Sequence, residues 1–259
     1  MKNKPVILWY DTIDSTNNAA KRNIKDIDNL SVLAARYQSD GRGQRGNKWS
    51  SADGENLTFS IVLKFSDSKS KGDMDNIPPL RAINQFAISE IATLAVSSYL
   101  QDNGIDAKIK WPNDIYVANK KISGMLIENI ASSDYILSSI IGIGLNLNQS
   151  DFPTELLNPV SMKTLTGKSY DSHKELERIM SYFCKFLPLL YDEASLVGLQ
   201  EKYVSELYHL GVECEYTDCR TSITFKGTII GISESGLLKV QLPDGSLIEF
   251  AFKEISYII

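Results

Sequence analysis

The chain has 259 residues, of which 43% are hydrophobic and 23% are charged, a composition typical of soluble globular proteins. The formal net charge of −5 excludes a general polycation that would hold a nucleic-acid backbone, so we expect no DNA partner. No apolar run reaches the roughly 18 to 20 residues that cross a bilayer, and the first apolar run stops at Asp11, too early for a signal peptide. We therefore expect a cytoplasmic protein without a membrane partner.

The first half of the chain is predicted to contain three strands and two helices. Runs of apolar and β-branched residues predict strands over 6–10, 30–37 and 57–65. The cluster Asp14-Ser15-Thr16-Asn17 supplies N-cap residues and predicts a helix over 18–25. The clearest helical pattern opens at Pro78-Pro79 and repeats apolar residues at helical spacing as far as the stop signal Asn103-Gly104.

The second half of the chain combines β-rich and helical patterns. Strands are predicted over 105–111, 115–117, 121–130 and 135–145. Helices are predicted over 173–191, where Pro188 bends or ends the helix, and over 195–208. From Gly211 onward, short β-rich runs are separated by turn signals.

This order of elements predicts an α+β fold with two domains. A mixed sheet flanked by helices would form a domain over residues 1–209, and a small all-β domain would follow over 210–259. About 50 residues bury too little apolar surface to be robust alone, so the small domain is expected to dock on the large one.

The cysteines and histidines point away from two common kinds of site. Cys184, Cys214 and Cys219 form an odd number without metal-binding spacing, so reduced structural thiols are expected. His173 and His209 are the only histidines, and neither stands beside a plausible nucleophile. Any chemistry is therefore predicted to use Lys, Arg, Asp and Asn side chains.

The most informative segment is Gly41-Arg42-Gly43-Gln44-Arg45-Gly46, which is followed by Lys48 and Trp49. Alternating glycines suit neither a helix nor a strand, so the segment is predicted to be a loop. Arginine can donate two parallel hydrogen bonds to a carboxylate or phosphate, and tryptophan offers a flat face to a purine. The hypothesis is a loop that folds over an anionic, nucleotide-like ligand. The alternative is a surface turn with solvated arginines, and the spacing matches neither a Walker loop nor a dinucleotide fingerprint.

Two further segments offer polar groups at the ends of helices or strands. Ser15-Thr16-Asn17 is typical of a helix cap, although the amides and hydroxyls of a cap can also hold a ligand. In the segment 110–114, Pro112 interrupts a strand pattern and places Asn113 and Asp114 at a bend. Asp114 could face a divalent cation, because magnesium prefers oxygen ligands.

Lys121 and the segment 142–148 complete the set of candidate residues. Lys121 begins an apolar strand, where a solvated strand end is favoured over a charge directed into a pocket. Gly142 and Gly144 lie in a buried-looking strand, which suggests close approach by a ligand or by another backbone. Asn146 could read a base edge, because its amide offers both an acceptor and a donor.

Taken in order, these motifs resemble those of biotin–protein ligases. The resemblance covers roughly residues 6–150 and is carried by Gly41–Gly46 with Trp49, Lys110–Asp114, Lys121–Gly124 with Glu128, and Gly142–Asn146. It implies a class II synthetase-like catalytic domain of the biotin–lipoyl ligase type, followed by a small SH3-like β-barrel. It also implies that biotin and ATP form biotinyl-5′-adenylate and pyrophosphate, and that a lysine of a biotin carboxyl carrier domain then takes the biotin.

The resemblance also implies roles for individual residues. Lys121 and Arg42 would be the catalytic residues, and Lys121 would stabilise the charge that develops at the biotin carboxyl oxygen. Biotin would be contacted by Ser15, Thr16, Asn17, Gln38, Arg42, Gly43, Gln44 and Lys121. ATP and the adenylate would be contacted by Gly41, Arg45, Trp49, Lys110, Asn113 and Asn146. Asp114 would hold the Mg2+ that accompanies ATP.

Two features of the chain depart from parts of that family. Gln44 stands where some members carry arginine, which leaves one fewer positive charge for retaining the adenylate. Some members carry an N-terminal DNA-binding domain, and Ser15 lies too near the start of this sequence to leave room for one. The expectation is therefore a single-function ligase without repressor activity.

Two alternative functions stay open. Lipoate ligases and octanoyltransferases share the broader fold and also place a lysine at the acyl carbonyl, so Lys121 alone does not discriminate, whereas the glycine–arginine loop with Trp49 favours biotin. A non-catalytic module that binds a protein or nucleic acid through the β-rich tail is the alternative of a different class. An exposed sheet edge could support a homodimer or receive the carrier domain.

Overall fold

The computed structural model describes residues 5–66 and 77–258, except for the side chain of Arg45. Its larger sheet has eight strands, β1 (Ile7–Ile13), β2 (Val32–Gln38), β3 (Leu57–Lys64), β4 (Leu80–Arg81), β5 (Ala107–Lys110), β6 (Asp114–Val117), β7 (Lys120–Ser132) and β8 (Tyr135–Leu145). Their order is β1-β2-β3-β8-β7-β6-β5, with β4 paired to β8. β1 and β2 run parallel, and the other neighbouring strands are antiparallel. The predicted mixed sheet is confirmed.

Helices cover both faces of this sheet. They are α1 (Thr16–Arg22), α2 (Phe86–Asp102), α3 (Met162–Thr166), α4 (Ser172–Phe186) and α5 (Glu193–Ser205). α1 packs on β2, β3 and β8, while α2 packs on β5 and β6 and contacts α4 and α5. Because successive side chains of a strand point to opposite faces, each central strand supplies two cores.

The residues of β3 illustrate this alternation. Val62 joins Ala19 and Ala20 of α1 in the smaller core. Phe59 and Ile61 join the larger core, which includes α2, α4 and α5. The face that carries α1 is therefore only partly covered by apolar side chains, and the remainder of that face is free to carry a site.

The helix predicted to open at Pro78-Pro79 begins later in the structure. Leu80 and Arg81 pair with β8 as a short strand, residues 82–84 form a 3-10 turn, and α2 begins at Phe86. Pairing across the sheet requires extended backbone, so it overrides the local helical pattern in this segment. α2 itself is buried around most of its circumference, as expected for a helix between a sheet and two other helices.

Two other predicted helices have different bounds. The helix predicted over 173–191 is α4, which ends at Phe186 and is followed by a 3-10 turn over 187–190. Pro188 lies in that turn, where its missing N–H prevents a continued helical ladder. The helix predicted over 18–25 is α1, which begins two residues earlier because Ser15 occupies its N-cap position.

The last part of the described chain forms a separate five-stranded antiparallel sheet. Its strands are β9 (Glu213–Asp218), β10 (Ile223–Ile232), β11 (Leu238–Gln241), β12 (Leu247–Phe250) and β13 (Ile255–Tyr257), in the order β12-β11-β10-β9-β13. This sheet agrees with the small barrel-like domain predicted from Gly211 onward. The domain boundary at 209 and 210 stays a prediction.

The small sheet contacts the large domain through Trp111. The indole Nε1 of Trp111 donates to the Gly236 carbonyl at 2.9 Å. The rings of Trp111 and Phe252 meet edge to face, with their centroids 6.4 Å apart. Within the described ranges, no helix combines the length and apolarity needed to cross a membrane.

Candidate active site

One row of register partners crosses five strands of the large sheet. Thr58 on β3 pairs with Gly144 on β8, Gly144 with Gly124 on β7, Gly124 with Asp114 on β6, and Asp114 with Lys110 on β5. Residues paired in this way present their side chains on the same face of a sheet. The row therefore brings polar side chains from distant parts of the sequence onto one surface, with glycines between them.

The glycines of this face make room for side chains that lie over the sheet. A Cβ atom on Gly142 would lie 2.2 Å from Asn17 Oδ1, and one on Gly144 would lie 2.2 Å from the Trp49 indole. The sequence predicted close approach at these two glycines by a ligand or by another backbone, and the structure shows close approach by side chains instead. The approaching groups are side chains of the same chain, Asn17 from α1 and Trp49 from the glycine loop.

The same face forms the floor of a cleft of about 680 Å³. Thirteen of the fifteen predicted site residues line it, namely Ser15, Thr16, Asn17, Gln38, Arg42, Gly43, Gln44, Trp49, Lys110, Asn113, Asp114, Lys121 and Asn146. Gly41, the first residue of the glycine loop, does not line the cleft, and a Cβ atom on it would come 2.4 Å from the Trp49 carbonyl oxygen. The side chain of Arg45 lies outside the described part of the structure.

A cluster of hydroxyl and amide groups lies over β3 and β8. Gln38 Oε1 accepts from the Thr16 backbone N–H at 2.8 Å, and Ser60 Oγ donates to Asn17 Oδ1 at 2.6 Å. Ser60 Oγ also lies 2.7 Å from Thr16 Oγ1. The Ser15 side chain makes no capping hydrogen bond. Ser60 was not among the predicted site residues, although it lies two residues from Thr58 on β3 and therefore on the same face of the sheet.

Arg42 is joined to the sheet by Glu128. Its Nη1 and Nη2 atoms donate to Glu128 Oε2 and Oε1, each at 3.2 Å, and Nη1 also donates to Asn18 Oδ1 at 2.7 Å. Asn17 Nδ2 donates to the same carboxylate at 3.0 Å. Burial by itself raises the pKa of Glu128, but the Asn17 hydrogen bond and the Arg42 and Lys21 charges outweigh it, so the net shift is downward. Glu128 therefore stays ionised and holds the loop.

Lys121 and Asp114 form the second ion pair of the site. Lys121 Nζ lies 2.8 Å from Asp114 Oδ1, and the two side chains are 32% and 27% exposed. The preference for a solvated strand end at Lys121 was wrong. The β6–β7 pairing turns its ammonium towards Asp114, and its Nζ lies 5.9 Å from the centroid of the Trp49 ring.

Two polar atoms of the glycine loop have no partner among the described residues. Gln44 Oε1 and Trp49 Nε1 are both buried and make no hydrogen bond there. A buried polar group without a partner is costly, so such groups are expected where a ligand supplies the missing bond. One acceptor and one donor of the cleft are therefore available to a ligand.

The opposite end of the cleft is aromatic and includes the small sheet. Lys110 Nζ lies 4.6 Å from the centroid of the Tyr116 ring and 4.8 Å from that of Tyr257 on β13. Burial lowers the pKa of Lys110, while the nearby Asp114 acts in the opposite direction. Phe252 and Lys253 also line this end. No signal in the sequence placed the small sheet in the site.

The amide groups of Asn113 and Asn146 are used by the protein backbone. Asn113 Nδ2 donates to the Met125 carbonyl, and Asn146 Nδ2 donates to the Val160 carbonyl at 3.0 Å. Both side chains are buried and are thereby fixed in orientation. In the described part of the chain, the side-chain hydrogen bonds of Asn146 run through Nδ2.

The sequence matches one family of enzymes. The model of the biotin/lipoate A/B protein ligase family matches residues 9–146, more than half of the chain. The bifunctional ligase/repressor BirA of Bacillus subtilis is 29% identical over 245 residues, which cover 92% of this chain and 70% of that protein. The biotin–[acetyl-CoA-carboxylase] ligase of Paracoccus denitrificans is 27% identical over 240 residues, which cover 90% of this chain and 92% of that protein.

The fold is also similar to that of a solved biotin protein ligase. The biotin protein ligase of Aquifex aeolicus, solved in complex with biotin and ATP, superimposes with a TM-score of 0.75 at 27% identity. The match covers 97% of both chains, so it includes the small antiparallel sheet as well as the large mixed one. The chain belongs to the biotin/lipoate A/B protein ligase family.

Proposed function

We propose that this chain is an ATP-dependent biotin–protein ligase. The observation that carries this proposal is the position of the Lys121 ammonium in the cleft. Lys121 lies over β6 and β7, between the Asn17 amide over β8 and the Lys110 ammonium on β5. A cation between a hydrogen-bonding pocket and a second cation suits the union of a carboxylate with a phosphate ester, because both reacting groups are anions.

In the first step, a carboxylate oxygen of biotin attacks the α-phosphorus of ATP. A new P–O bond forms, the bond to the β-phosphate oxygen breaks, and pyrophosphate leaves with the electron pair. Biotin supplies the nucleophile, so no activated Ser or Cys is needed. Lys121 neutralises the carboxylate and the charge that develops as the two groups approach, and Arg42 and Trp49 cover them from the loop.

In the second step, a neutral lysine amine of a biotin carboxyl carrier domain attacks the carbonyl carbon of biotinyl-5′-adenylate. An amide bond forms, the bond to the AMP oxygen breaks, and the amine loses a proton. The mixed anhydride hydrolyses in water, so its retention under the glycine loop determines how much of it reaches the carrier.

The remaining roles follow the order of side chains across the sheet. Thr16, Asn17 and Gln38 bind the uncharged part of biotin, together with Ser15, Gly43 and Gln44. Trp49 packs against the adenine ring, and Asn146 accepts from the edge of that ring through Oδ1, since its Nδ2 donates to the backbone. Lys110 and Asn113 address the phosphate chain, and Arg45, whose side chain lies outside the described part of the structure, is proposed for the same role on its motif alone.

Mg2+ enters this scheme with ATP. Among the described residues, no group of three or more His, Cys, Asp or Glu side chains could hold a metal ion. Magnesium often takes one or two carboxylates and completes its shell with water and phosphate, so the single carboxylate of Asp114 is compatible with it. Asp114 would then hold the ion against the ATP phosphates, and its pairing with Lys121 would have to loosen.

The partner is proposed to be the carrier domain of a biotin-dependent carboxylase. β1 is an edge strand of the described sheet, since it pairs with β2 alone, and it offers an unpaired backbone to a second copy of the chain or to the carrier. DNA is not expected as a partner, given the net charge of −5.

The test is biotin-dependent exchange of labelled pyrophosphate into ATP, with the purified chain and Mg2+. Exchange that requires biotin is the expected result. Exchange with lipoic acid and none with biotin would move the chain to the lipoate branch of its family. No exchange with either acid would contradict adenylation and favour an octanoyltransferase or a binding module.

A further inference from the structure

The Lys110 ammonium lies between two tyrosine rings that come from different sheets. Tyr116 belongs to the same β5–β6 hairpin, and its ring centroid is 4.6 Å from Lys110 Nζ. Tyr257 belongs to β13 of the small sheet, and its ring centroid is 4.8 Å away. Tyr116 Oη lies 3.3 Å from the same nitrogen. Lys110 therefore occupies an aromatic slot that is complete only when the small sheet is in place.

The aromatic slot leaves the positive charge of Lys110 available to an incoming anion such as phosphate. Among the described residues, no carboxylate forms a salt bridge with Lys110, and the nearby Asp114 is paired with Lys121. An aromatic face attracts an ammonium group through its quadrupole but carries no net charge. It can therefore restrain the lysine side chain without neutralising it, whereas a carboxylate partner would compete with an incoming phosphate.

We propose that Tyr257 is a positioning residue that holds the Lys110 ammonium ready for the phosphate chain of ATP. The small C-terminal sheet thereby completes the nucleotide site. The inference rests on the proposed ligase function and adds to it a residue from outside the large sheet.

The hydroxyl group of Tyr257 is not what keeps the ring in place. Its oxygen is buried and makes no hydrogen bond to any described residue. The useful part of the side chain is therefore the ring, which also meets the Tyr216 ring edge-on at 5.3 Å. Phenylalanine at this position should still position the Lys110 ammonium, because it keeps the ring. Leucine should not, although it fills much of the same apolar space.

The experiment compares the wild-type chain with Tyr257→Phe and Tyr257→Leu in biotin-dependent pyrophosphate exchange. We expect Tyr257→Leu to raise the KM for ATP about fivefold to tenfold, the order of one cation–π contact at a partly buried site. The KM for biotin should stay within about twofold, and Tyr257→Phe should restore the KM for ATP to within about twofold of wild type. Phe225→Leu, on the same sheet but outside the cleft, is the control for loss of packing.

A double-mutant cycle with Lys110→Met separates positioning from general damage. In the Lys110→Met background, Tyr257→Leu should change the KM for ATP by less than about twofold, because the cation that it positions is gone. The inference would be overturned by an equal effect in both backgrounds, by equal rises in both KM values, or by a wild-type KM for ATP in Tyr257→Leu. A wild-type chain without any biotin-dependent exchange would instead contradict the proposed function, so the two failures are distinguishable.

Discussion

Both carboxylate oxygens of Glu128 accept hydrogen bonds from the guanidinium group of Arg42, one from each terminal nitrogen at 3.2 Å. Glu128 lies on β7, an interior strand of the large sheet, whereas Arg42 lies in the glycine loop, so this pair ties the loop to the sheet. Asn17 donates to the same carboxylate, which links the proposed biotin pocket to the loop that covers it.

Glu128→Gln should therefore leak the activated intermediate while leaving its synthesis largely intact. The amide can accept only one of the two guanidinium bonds and carries no charge, so the loop opens more often. We expect about fivefold to twentyfold more biotin on lysines of a bystander protein, scaled to the rate of adenylation. Streptavidin blotting with added albumin measures this labelling.

Two variants set the limits of that prediction. Arg42→Gly removes the other half of the pair and should leak to a similar extent. Asp218→Asn breaks an Arg220–Asp218 pair of 2.8 Å on the small sheet and should leave the bystander labelling unchanged. Equal labelling by wild type and Glu128→Gln would remove Glu128 from loop closure.

Lys121→Ala should lower the adenylation rate by about 100-fold to 1000-fold, the range for removing a preorganised group that stabilises developing charge. The matched control is Lys120→Ala, which removes the adjacent exposed lysine of the same strand. Biotin-dependent pyrophosphate exchange measures both variants. Wild-type exchange by Lys121→Ala would refute the role proposed for its ammonium.

Gly142→Ala should weaken biotin binding by at least about tenfold, because the new methyl group would displace the Asn17 side chain. Gly198→Ala is a control with the opposite sign. A Cβ atom at Gly198 meets nothing within 4 Å, and the residue lies inside α5, so alanine should stabilise the fold. The expected gain is about 0.5–1 kcal/mol. Calorimetric titration with biotin and thermal unfolding measure the two effects, and unchanged biotin affinity in Gly142→Ala would contradict the prediction.

Glu90 should make the stability of the fold depend on pH. It is 3% exposed on α2, no basic group among the described residues pairs with it, and burial raises its pKa to about 8 from an ordinary value of 4.5. A carboxyl with a raised pKa in the folded state contributes stability that is complete below pH 4.5 and is lost as the pH rises through 8.

Glu90→Gln should remove most of that dependence. The amide stays neutral at every pH, so the variant should be more stable than the wild type at pH 9, by an amount on the order of a few kcal/mol. Urea unfolding at pH 5, 7 and 9 measures the difference, with the exposed Glu177→Gln on α4 as a control. Parallel pH profiles for wild type and Glu90→Gln would contradict the assignment.

The parts of the fold that follow from local pattern were predictable from the sequence. The strand predicted over 135–145 is β8, residue for residue, because isoleucine and leucine recur along its whole length and its ends carry turn signals. The start of α2 was wrong because Leu80 pairs with Ile136, a contact that local spacing does not encode. Residues 80–81 therefore form a strand, although their local sequence pattern favours a helix.

The sequence predicted which residues lie in the candidate site, but not which of them contact one another. Arg42 and Glu128 lie 86 positions apart, so only the sheet order brings them into contact. The direction of Lys121 was wrong for the same reason, since it depends on the register between β6 and β7. Tyr257 had no motif to mark it, because its contribution is a ring face that reaches Lys110 from another sheet.

Because the row from Thr58 to Lys110 crosses five strands, the activity of a molecule reports whether all five have paired in the correct register. A slip of one residue between any two of its strands would turn every side chain of the displaced strand to the opposite face. A molecule with such a slip would keep much of its secondary structure and would still have no complete cleft. After refolding, the fraction of recovered activity should therefore count the molecules in which all five strands have found their correct partners, a quantity that circular dichroism alone would overestimate.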